Sequence, residues 1–252
     1  MLDETNPQVR SRALVPAVAF LLGVLATIVF VSLRQMPDSP GGSVAAGEPS
    51  CDTGAVVLET IRHRRTVRSY RSAPVPREDL LSILDAARFA PTAGNQQPWT
   101  FLVVDDRERL DELRGEALEW YMERASAAPE FDPAQEQRMR EGVAEALAGA
   151  LSAPVYVAVL VDTTAPYPQY VTHDGTLAAG MLMVAARGLG YGTGFFTTFF
   201  PSDRMQRFLG FPDEYRLICF TPIGVPEAWP ETPRKKTIEE VVVFGSFADE
   251  VG

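Results

Sequence analysis

The feature that most restricts the fold of this chain is an uncharged stretch near its N-terminus. Residues 13–33 form 21 consecutive positions without an acidic or basic side chain. As a helix that rises about 1.5 Å per residue, this segment is about 31 Å long, which matches the hydrocarbon thickness of a bilayer. We therefore predict a transmembrane helix over residues 13–33. A signal peptide cleaved after Val44-Ala45-Ala46 is the alternative, but the apolar stretch is longer than such peptides require.

The flanking segments divide the rest of the chain. Residues 1–12 form a short N-terminal tail, and residues 34–54 are rich in Pro, Gly, Ser and Ala, which is typical of a flexible linker. Residues 55–252 then form one domain that is long enough to bury a single core. The arginines around the apolar stretch favour an inside N-terminus by a margin of one charge, so the side of the cell membrane that the domain faces stays open.

Composition excludes several classes of function. The formal net charge of −10 argues against a nucleic-acid-binding protein, because neutralising phosphates requires a basic surface. Cys51 and Cys219 lie far apart in different contexts, so no disulfide framework is expected. His63 and His173 lack partners at ligand spacing, and we expect no zinc site.

Helix signals and β-branched runs alternate along the domain. Pro76, followed by two acidic residues, predicts a helix start, and the buried stripe of that helix is expected to contain Leu80, Leu81, Leu84 and Ala87. Further elements are predicted as helices near 107–127, 133–151 and 172–189, as strands at 99–106, 154–162 and 216–222, and as a short last element at 237–247. Few strands separated by helices predict an α+β sandwich.

Three segments resemble the nitroreductase family in order and spacing. Residues 64–70 (RRTVRSY) are similar to the family's Arg-Arg-Ser-x-Arg-x-aromatic opening, and residues 90–99 (APTAGNQQPW) to its Ala-Pro-Ser-x-x-Asn-x-Gln-Pro-Trp turn. The third segment combines Gly188-Leu189-Gly190, residues 222–226 and the basic residues 234–236. The resemblance implies a three-layer sandwich with a central, mostly antiparallel sheet flanked by helices. It also implies an intertwined homodimer that holds FMN in a cleft shared by two chains.

The resemblance assigns the first basic segment to the flavin. Arg64 and Thr66 would hold the FMN phosphate and the ribityl end, Arg68 would lie near the N1/C2 carbonyl edge, and Arg65 would assist from the same turn. A phosphate dianion needs several fixed cationic donors, and the planar fork of arginine suits it. A juxtamembrane basic patch that attracts anionic lipid is the alternative interpretation.

Two further segments complete the implied FMN site. Asn95 offers both a donor and an acceptor, as the flavin pyrimidine edge requires, although it could instead stabilise its own loop. Arg234 and Lys236 stand where the family places a basic pair on the phosphate, with Lys235 as an alternative because the register is uncertain by one residue. A solvated run of charges is the other interpretation of this segment.

Thr197 and Thr198 depart from the common nitroreductase pattern. Adjacent threonines resemble the iodotyrosine deiodinase branch, where a hydroxyl near flavin N5 favours one-electron chemistry and an N-terminal membrane anchor is also present; β-branched packing in a turn is the alternative. That branch recognises its zwitterionic substrate with a Glu, a Tyr four residues later, and a Lys. Here Ala117 precedes Tyr121 by four residues and the region 107–151 contains no lysine, so iodotyrosine recognition is not expected.

The function implied by the resemblance is a two-step oxidoreductase reaction. NADH or NADPH would reduce the flavin at N5, and an electron-poor acceptor such as a nitroaromatic or a quinone would then reoxidise it. A helical lid over residues 116–139 would select the acceptor through its large side chains, Trp120, Tyr121, Met122 and Phe131, and the apolar helix 172–189 would contact the second subunit. The alternatives are a reductive dehalogenase of halogenated phenols and a non-catalytic flavin-binding module.

Overall fold

The computed structural model describes residues 53–128, 131–197 and 201–246. The predicted transmembrane segment 13–33, Cys51 and Thr198 lie outside these ranges. Within the described ranges no helix is long and apolar enough to cross a membrane.

Helices and strands alternate along the described chain much as the sequence predicts. The helices are α1 (Thr53–His63), α2 (Arg77–Ala87), α3 (Arg107–Ser126), α4 (Glu136–Ala150), α5 (Val171–Gly188) and α6 (Ser202–Leu209). The strands are β1 (Trp99–Val104), β2 (Val155–Asp162), β3 (Gly192–Thr193) and β4 (Tyr215–Gly224). The predicted last element is wrong, because the described residues 237–246 form neither helix nor strand and pair with no other strand.

The four strands form one antiparallel sheet in the order β1-β2-β4-β3. β2 lies near the centre and is buried along all but its last residue, which is why its sequence is a continuous apolar run rather than an alternation of apolar and polar residues. β4 is the longest strand and pairs with β2 along most of its length before it reaches the two-residue β3. β1 and β3 are therefore the edges of this sheet.

Helices cover both faces of the sheet, which confirms the predicted sandwich of helices around an antiparallel sheet. On one face, residues of α3, α4 and α6 pack against Tyr156, Ala158 and Leu160 of β2. On the other face, α2 and α5 pack against the intervening valines of the same strand. The sheet is thus the middle layer, and α5, which contacts α2 and all four strands, is the main helix of its layer.

The predicted stripe of α2 differs from the structure at one residue, and the apolar side chains of α1 are partly exposed. In α2 the buried residues are Leu80, Ile83 and Ala87, whereas Leu81 is 53% exposed, because adjacent helical positions point in directions about 100° apart. Val57 and Ile61 of α1 do lie on a helix, but about half of each side chain is exposed. The apolar side of α1 is therefore covered only in part by the described residues of the chain.

Candidate functional site

The basic segment 64–68 is fixed to an edge of the sheet. α1 ends at His63, and the following chain runs beside β3, where Thr66 pairs with Thr193 in a parallel bridge. The backbone amide of Val67 donates to the carbonyl oxygen of Thr193 at 2.9 Å. We call residues 62–68 the basic turn. Because its backbone is tied to β3, the turn has a defined position relative to the residues that follow β3.

The C-terminal segment runs antiparallel to the chain that follows the basic turn. The Arg71 amide donates to the carbonyl of Val225 at 2.9 Å, and the Glu227 amide donates to the carbonyl of Ser69 at 3.2 Å. A close approach is possible here because Gly192 has no Cβ, which would otherwise lie 2.7 Å from Val67 and 2.9 Å from Pro226. We call residues 225–236 the C-terminal strap.

Beyond this backbone pairing, one side-chain contact joins the strap to the basic turn. The guanidinium of Arg65 donates to the hydroxyl of Thr232, five residues beyond Glu227. Because Thr232 stands two residues before Arg234, this contact brings the chain that leads into the basic residues 234–236 to the basic turn.

Arg65 differs from its basic neighbours because it is 8% exposed and fully engaged with the protein. Its Nη1 donates to the carbonyl oxygens of Arg62 at 2.6 Å and Arg64 at 2.8 Å, in addition to the contact of Nη2 with Thr232. These bonds rigidify the turn rather than leave the guanidinium open to a ligand. The assistance of Arg65 on the phosphate stays a prediction; in the structure Arg65 connects the turn to the strap.

The remaining cations of this region lack counter-charges. Within the described residues, the side chains of Arg64, Arg68, Arg234 and Lys236 form no ion pair and no hydrogen bond. Arg64 is half-buried and the other three are exposed. A group of fixed positive charges without carboxylate partners produces a positive potential that attracts an anion.

Arg187, in the last turn of α5, adds to the same positive potential. Its guanidinium carbon lies 3.8 Å from the centre of the Trp229 ring on the strap. Burial, and secondarily the charge of Arg65, lower the pKa of Arg187 below the usual arginine range. The charged guanidinium groups of Arg65 and Arg187 repel one another, and their partners are neutral. An anion beside them would reduce this repulsion and is therefore favoured.

The arginines around one surface cavity are neutralised, in contrast to those of the basic turn. A cavity of about 320 Å³ between α3 and α6 is lined by three arginines, Arg109, Arg204 and Arg207, together with Glu116 and Phe208. Each of the three arginines has a carboxylate partner, namely Glu112, Glu123 and Asp203. Their charges are compensated in place, so this cavity does not compete with the basic turn as an anion site.

The turn at residues 92–97, called the Asn95 turn below, has a strained backbone. Gly94, Asn95 and Gln97 have φ values of 56°, 55° and 46°, in the left-handed region that non-glycine residues rarely adopt. Strain of this kind persists where surrounding contacts impose it, and it is frequent at ligand sites. The Asn95 side chain is exposed and forms no hydrogen bond within the described residues, so its amide is available to a ligand.

A buried carboxylate on α5 imposes this conformation. Asp174, which is 3% exposed, accepts hydrogen bonds from the Ala93 amide at 3.2 Å and from Nε2 of Gln96 at 2.7 Å. The oxygen of the Gln96 side chain in turn accepts from the Tyr167 amide at 2.8 Å. These bonds join the turn to the N-terminal part of α5, and they are a second set of positioning contacts that the sequence motifs alone did not identify.

The Asn95 turn and the basic turn lie at opposite ends of the subunit. Asp174 holds the Asn95 turn, and Arg187 lies beside the basic turn. Asp174 and Arg187 are thirteen residues apart on α5, which is about 20 Å along the helix. The sheet gives a similar result. The carbonyl of Pro98, next to the Asn95 turn, accepts from the Asp162 amide at one end of β2, and β3 lies level with Val155 at the other end. These two ends of β2 are about 23 Å apart. Asn95 and Arg68, both expected at the pyrimidine edge of one flavin, cannot meet within one subunit.

Thr197 lies on the same sheet edge as the basic turn. The carbonyl of Phe196 accepts from the Phe220 amide at 2.8 Å, so the chain continues along β4 after β3. The Phe196 ring can pack against the backbone at Gly194, because a Cβ on residue 194 would lie 2.7 Å from the Phe196 ring. Thr197 follows with an exposed side chain, about 13 Å along the strand from Thr193.

The predicted lid is a packed pair of helices rather than a loose cover. Met122 is 4% exposed and belongs to the core, so its expected place in the acceptor-selecting wall is wrong. Trp120 and Tyr121 are half-buried, with ring centroids 4.7 Å apart in an edge-to-face arrangement, and remain available for the wall, as does the half-buried Phe131. Ala117 is fully buried, so the position that would carry the acid of a deiodinase lid faces the core here.

Comparison with known proteins gives a consistent relationship. Residues 61–225 match the sequence profile of the Nitroreductase family. The chain is 30% identical over 188 residues to 5,6-dimethylbenzimidazole synthase of Rhodospirillum rubrum, covering 71% of this chain and 85% of that protein. It is 29% identical over 197 residues to an iodotyrosine deiodinase of Thermotoga neapolitana, covering 75% and 99%. A crystal structure of oxidized iodotyrosine deiodinase bound to FMN and 3-iodo-L-tyrosine is similar with a TM-score of 0.59 at 26% identity, covering 76% and 100%.

Proposed function

Because this chain belongs to the nitroreductase family of flavin-dependent oxidoreductases, we propose that it binds FMN and uses NADH or NADPH to reduce an electron-poor acceptor. Nitroaromatics and quinones are the acceptor classes that we propose. The bound flavin supplies the redox chemistry, taking a hydride at N5 and passing the electrons on. The observation that carries this proposal is the group of cations around the basic turn that lack carboxylate partners.

The residues of the basic turn fit a phosphate ester. Arg64 offers a planar fork of N–H donors and Thr66 adds a hydroxyl donor two residues later. Arg234 and Lys236 follow Thr232, which Arg65 holds against the basic turn, and they would reach the same phosphate; the guanidinium groups of Arg65 and Arg187 add positive potential. A dianion at this position would compensate charges that the described residues leave unpaired.

Other residues of the same sheet edge would orient the rest of the cofactor. Arg68 would place a positive charge at the pyrimidine edge of the flavin, where it stabilises negative charge that develops on reduction. Thr197, exposed at the continuation of β3, would offer a hydroxyl to N5. Trp120 and Tyr121 would form the wall against which a flat acceptor packs.

We propose that the site is completed in an intertwined homodimer. The Asn95 turn of one subunit would reach the pyrimidine edge of the flavin held by the basic turn of the other, since the two lie far apart in one chain. α1 and α5 offer an interface of suitable character, with side chains between 42% and 52% exposed at Val56, Val57, Leu58, Ile61, Leu177 and Met181. Exposed apolar side chains grouped on helices are typical of contacts between subunits.

Mixed dimers of two site variants would test the shared site. Arg64→Ala and Asn95→Ala homodimers should each bind FMN weakly. A heterodimer purified with two different tags should regain one intact site per dimer, because one of its two sites then combines the unaltered Arg64 with the unaltered Asn95. FMN binding that stays weak in the heterodimer would contradict the shared site.

A reductive dehalogenase is the second candidate, and a specific similarity favours it. The Thermotoga neapolitana relative named iodotyrosine deiodinase aligns over 99% of its length. If Thr197 lies near N5, as the resemblance implies, its hydroxyl would favour one-electron steps. The lid argues for a substrate without an amino-acid group, because Ala117 is buried and residues 107–151 contain no lysine. A halogenated phenol is therefore the substrate class of this alternative.

Steady-state turnover separates these candidates. The full-length chain in detergent, supplied with FMN and NADPH, should reduce a nitroaromatic or a quinone faster than it removes halide from a halogenated phenol. A faster release of halide would favour the dehalogenase instead. No turnover of either class by FMN-loaded protein would favour the non-catalytic flavin-binding module. Arg64→Ala, which removes a phosphate contact, serves as the inactive control at limiting FMN.

We also propose that residues 13–33 tether the protein to the cell membrane in a single pass. Oxidation of reduced nicotinamide requires a domain on the cytoplasmic side, whereas the arginine count favours the other side by one charge. Extraction of membranes with alkaline carbonate tests the tether. The full-length chain should stay in the membrane pellet and a chain that begins at residue 50 should not; release of both would refute the anchor.

A further inference from the structure

We propose that Arg65 and Arg187 are positioning residues that hold the C-terminal strap across the basic turn through Thr232 and Trp229. They thereby bring Arg234 and Lys236 to the same anion as Arg64. The proposal rests on the proposed function for the identity of that anion, the phosphate of FMN. The residues that would do the positioning are distinct from those that would touch the phosphate.

The strap depends on these two contacts because its regular pairing ends early. Its last backbone hydrogen bond to the rest of the domain is the one from the Glu227 amide to Ser69. From residue 228 to residue 236 the strap is exposed and makes no backbone hydrogen bond within the described part of the chain. The basic residues of interest stand at the far end of this unpaired stretch.

Two side-chain contacts hold the unpaired stretch in place among the described residues. Arg187 covers the ring of Trp229 at 3.8 Å, and Arg65 donates to the hydroxyl of Thr232. The first contact lies two residues after Glu227, and the second lies two residues before Arg234. Their spacing along the strap supports it near both ends of the unpaired stretch.

The anchoring groups are themselves fixed in the domain. Arg65 is buried and locked by the carbonyl oxygens of Arg62 and Arg64, so the hydroxyl of Thr232 meets a rigid donor. Arg187 projects from the last turn of α5, the central helix of its layer. Because both partners are pre-organised, the strap is held in one position before any anion arrives.

The charge of the anchors also serves the anion. Arg65 and Arg187 have neutral partners, a hydroxyl, carbonyl oxygens and an aromatic ring, so their positive charges remain uncompensated while they hold the strap. An anion beside Arg64 would therefore experience the charges of the turn, the anchors and the strap together. Loss of an anchor would cost affinity for the phosphate because the strap would have to be ordered during binding.

The test compares FMN with riboflavin, which lacks the phosphate. Full-length protein in detergent is freed of flavin and titrated with each compound by quenching of flavin fluorescence. Thr232→Val, which removes the hydroxyl and retains the shape, should raise the Kd for FMN about tenfold. The Kd for riboflavin should stay within about twofold of the unaltered protein, and Thr232→Ser should restore FMN binding. Thr100→Val, an exposed threonine on β1, is the matched control.

A second variant and a second measurement guard against a purely structural effect. Trp229→Leu should repeat the selective loss of FMN affinity, and Trp229→Phe should retain most of it. Trypsin should cleave at residues 234–236 faster in Thr232→Val and Trp229→Leu than in the unaltered protein, before any flavin is added. Both changes lie on the exposed strap, so the core should fold in each variant.

The outcomes distinguish the two proposals. If the unaltered protein prefers FMN to riboflavin but Thr232→Val and Trp229→Leu bind FMN as tightly as it does, the positioning role is refuted and the flavin function stands. Equal losses of FMN and riboflavin affinity would also refute it, because a general disturbance does not act through the phosphate. If the unaltered protein binds neither compound, the proposed function fails and this inference fails with it.

Discussion

The buried carboxylate of Asp174 gives the sharpest prediction about how the Asn95 turn is held. In Asp174→Asn, the remaining side-chain oxygen can still accept from the Ala93 amide. The new amide nitrogen takes the place of the carboxylate oxygen that now lies 2.7 Å from Nε2 of Gln96, so it faces another donor. Gln96 cannot rotate its side-chain amide without losing the 2.8 Å hydrogen bond that its oxygen accepts from the Tyr167 amide. Two donors would therefore meet in a site that is 3% exposed.

The expected loss follows from the bond that cannot form. Removing one charge-assisted hydrogen bond and leaving a buried donor unsatisfied should lower the free energy of unfolding by about 2–3 kcal/mol. Urea denaturation followed by circular dichroism measures this quantity, with the slope unchanged if both variants unfold from the same native state. Asp85→Asn is the control, because Asp85 forms an exposed ion pair with Arg88 that contributes at most about 1 kcal/mol. Equal losses in the two variants would refute the role assigned to Asp174.

Three further predictions follow from other parts of the structure. Burial and the carboxylate of Asp79 raise the pKa of Tyr191 to about 12, above its value of about 10 in an unfolded chain. The folded state therefore holds the phenolic proton of Tyr191 more tightly, and this contribution to stability is fully present below pH 10. The free energy of unfolding should fall between about pH 10 and 12, with a shallower fall in Tyr191→Phe; an unchanged slope would contradict this. Burial raises the pKa of Cys219 to about 12, so in a Cys51→Ser background a disulfide reagent should react only after unfolding, and rapid reaction with the native protein would be inconsistent. Leu177→Glu places a charge on the exposed apolar side of α5 and should yield monomers by light scattering, whereas an unaltered dimer mass would exclude this helix from the interface.

The core elements could be predicted because local physics determines them. The run from Val155 to Val161 is apolar without interruption and valine at every second position, and it forms the buried strand that the sequence predicts. Pro76 and the acids after it mark the start of α2, which begins at Arg77. In each case the signal lies within a few residues of the element itself.

The covering of apolar surfaces could not be predicted from the same signals. An apolar residue such as Ile61 indicates that something should cover it, but the sequence does not say whether the cover comes from the same chain. In the structure Ile61 is 51% exposed, and Leu81 is 53% exposed although it stands beside the buried Leu80. The missing information is which long-range contacts form, and a period of 3.6 residues does not contain it.

The candidate site divides in the same way. The motif at residues 64–70 and the basic residues 234–236 were singled out by resemblance, and the contact of Arg65 with Thr232 joins the motif to the strap two residues before Arg234. Asn95 was assigned to the same flavin, but the motif could not reveal that its turn is held by Asp174, about 20 Å along α5 from Arg187. Spacing along a sequence does not distinguish a contact within a chain from one between two copies.

The positioning residues left only faint signals. Asp174 is an acidic residue in an otherwise apolar helix, which indicates a buried partner but not its identity. Trp229 and Thr232 stand in a polar, proline-containing segment with no periodicity, where nothing marks them as anchors. Their roles depend on Arg65 and Arg187, which are 167 and 42 residues away along the chain.

The visible absorption spectrum of the purified full-length protein, recorded anaerobically before and after addition of NADPH, tests the central claim most directly. We predict flavin absorption bands that bleach on addition, which would establish both the cofactor and the reductive half of the reaction. Bands that persist would contradict NADPH as the donor and favour the dehalogenase or the non-catalytic module. A protein that stays colourless after incubation with FMN would contradict the flavin site itself.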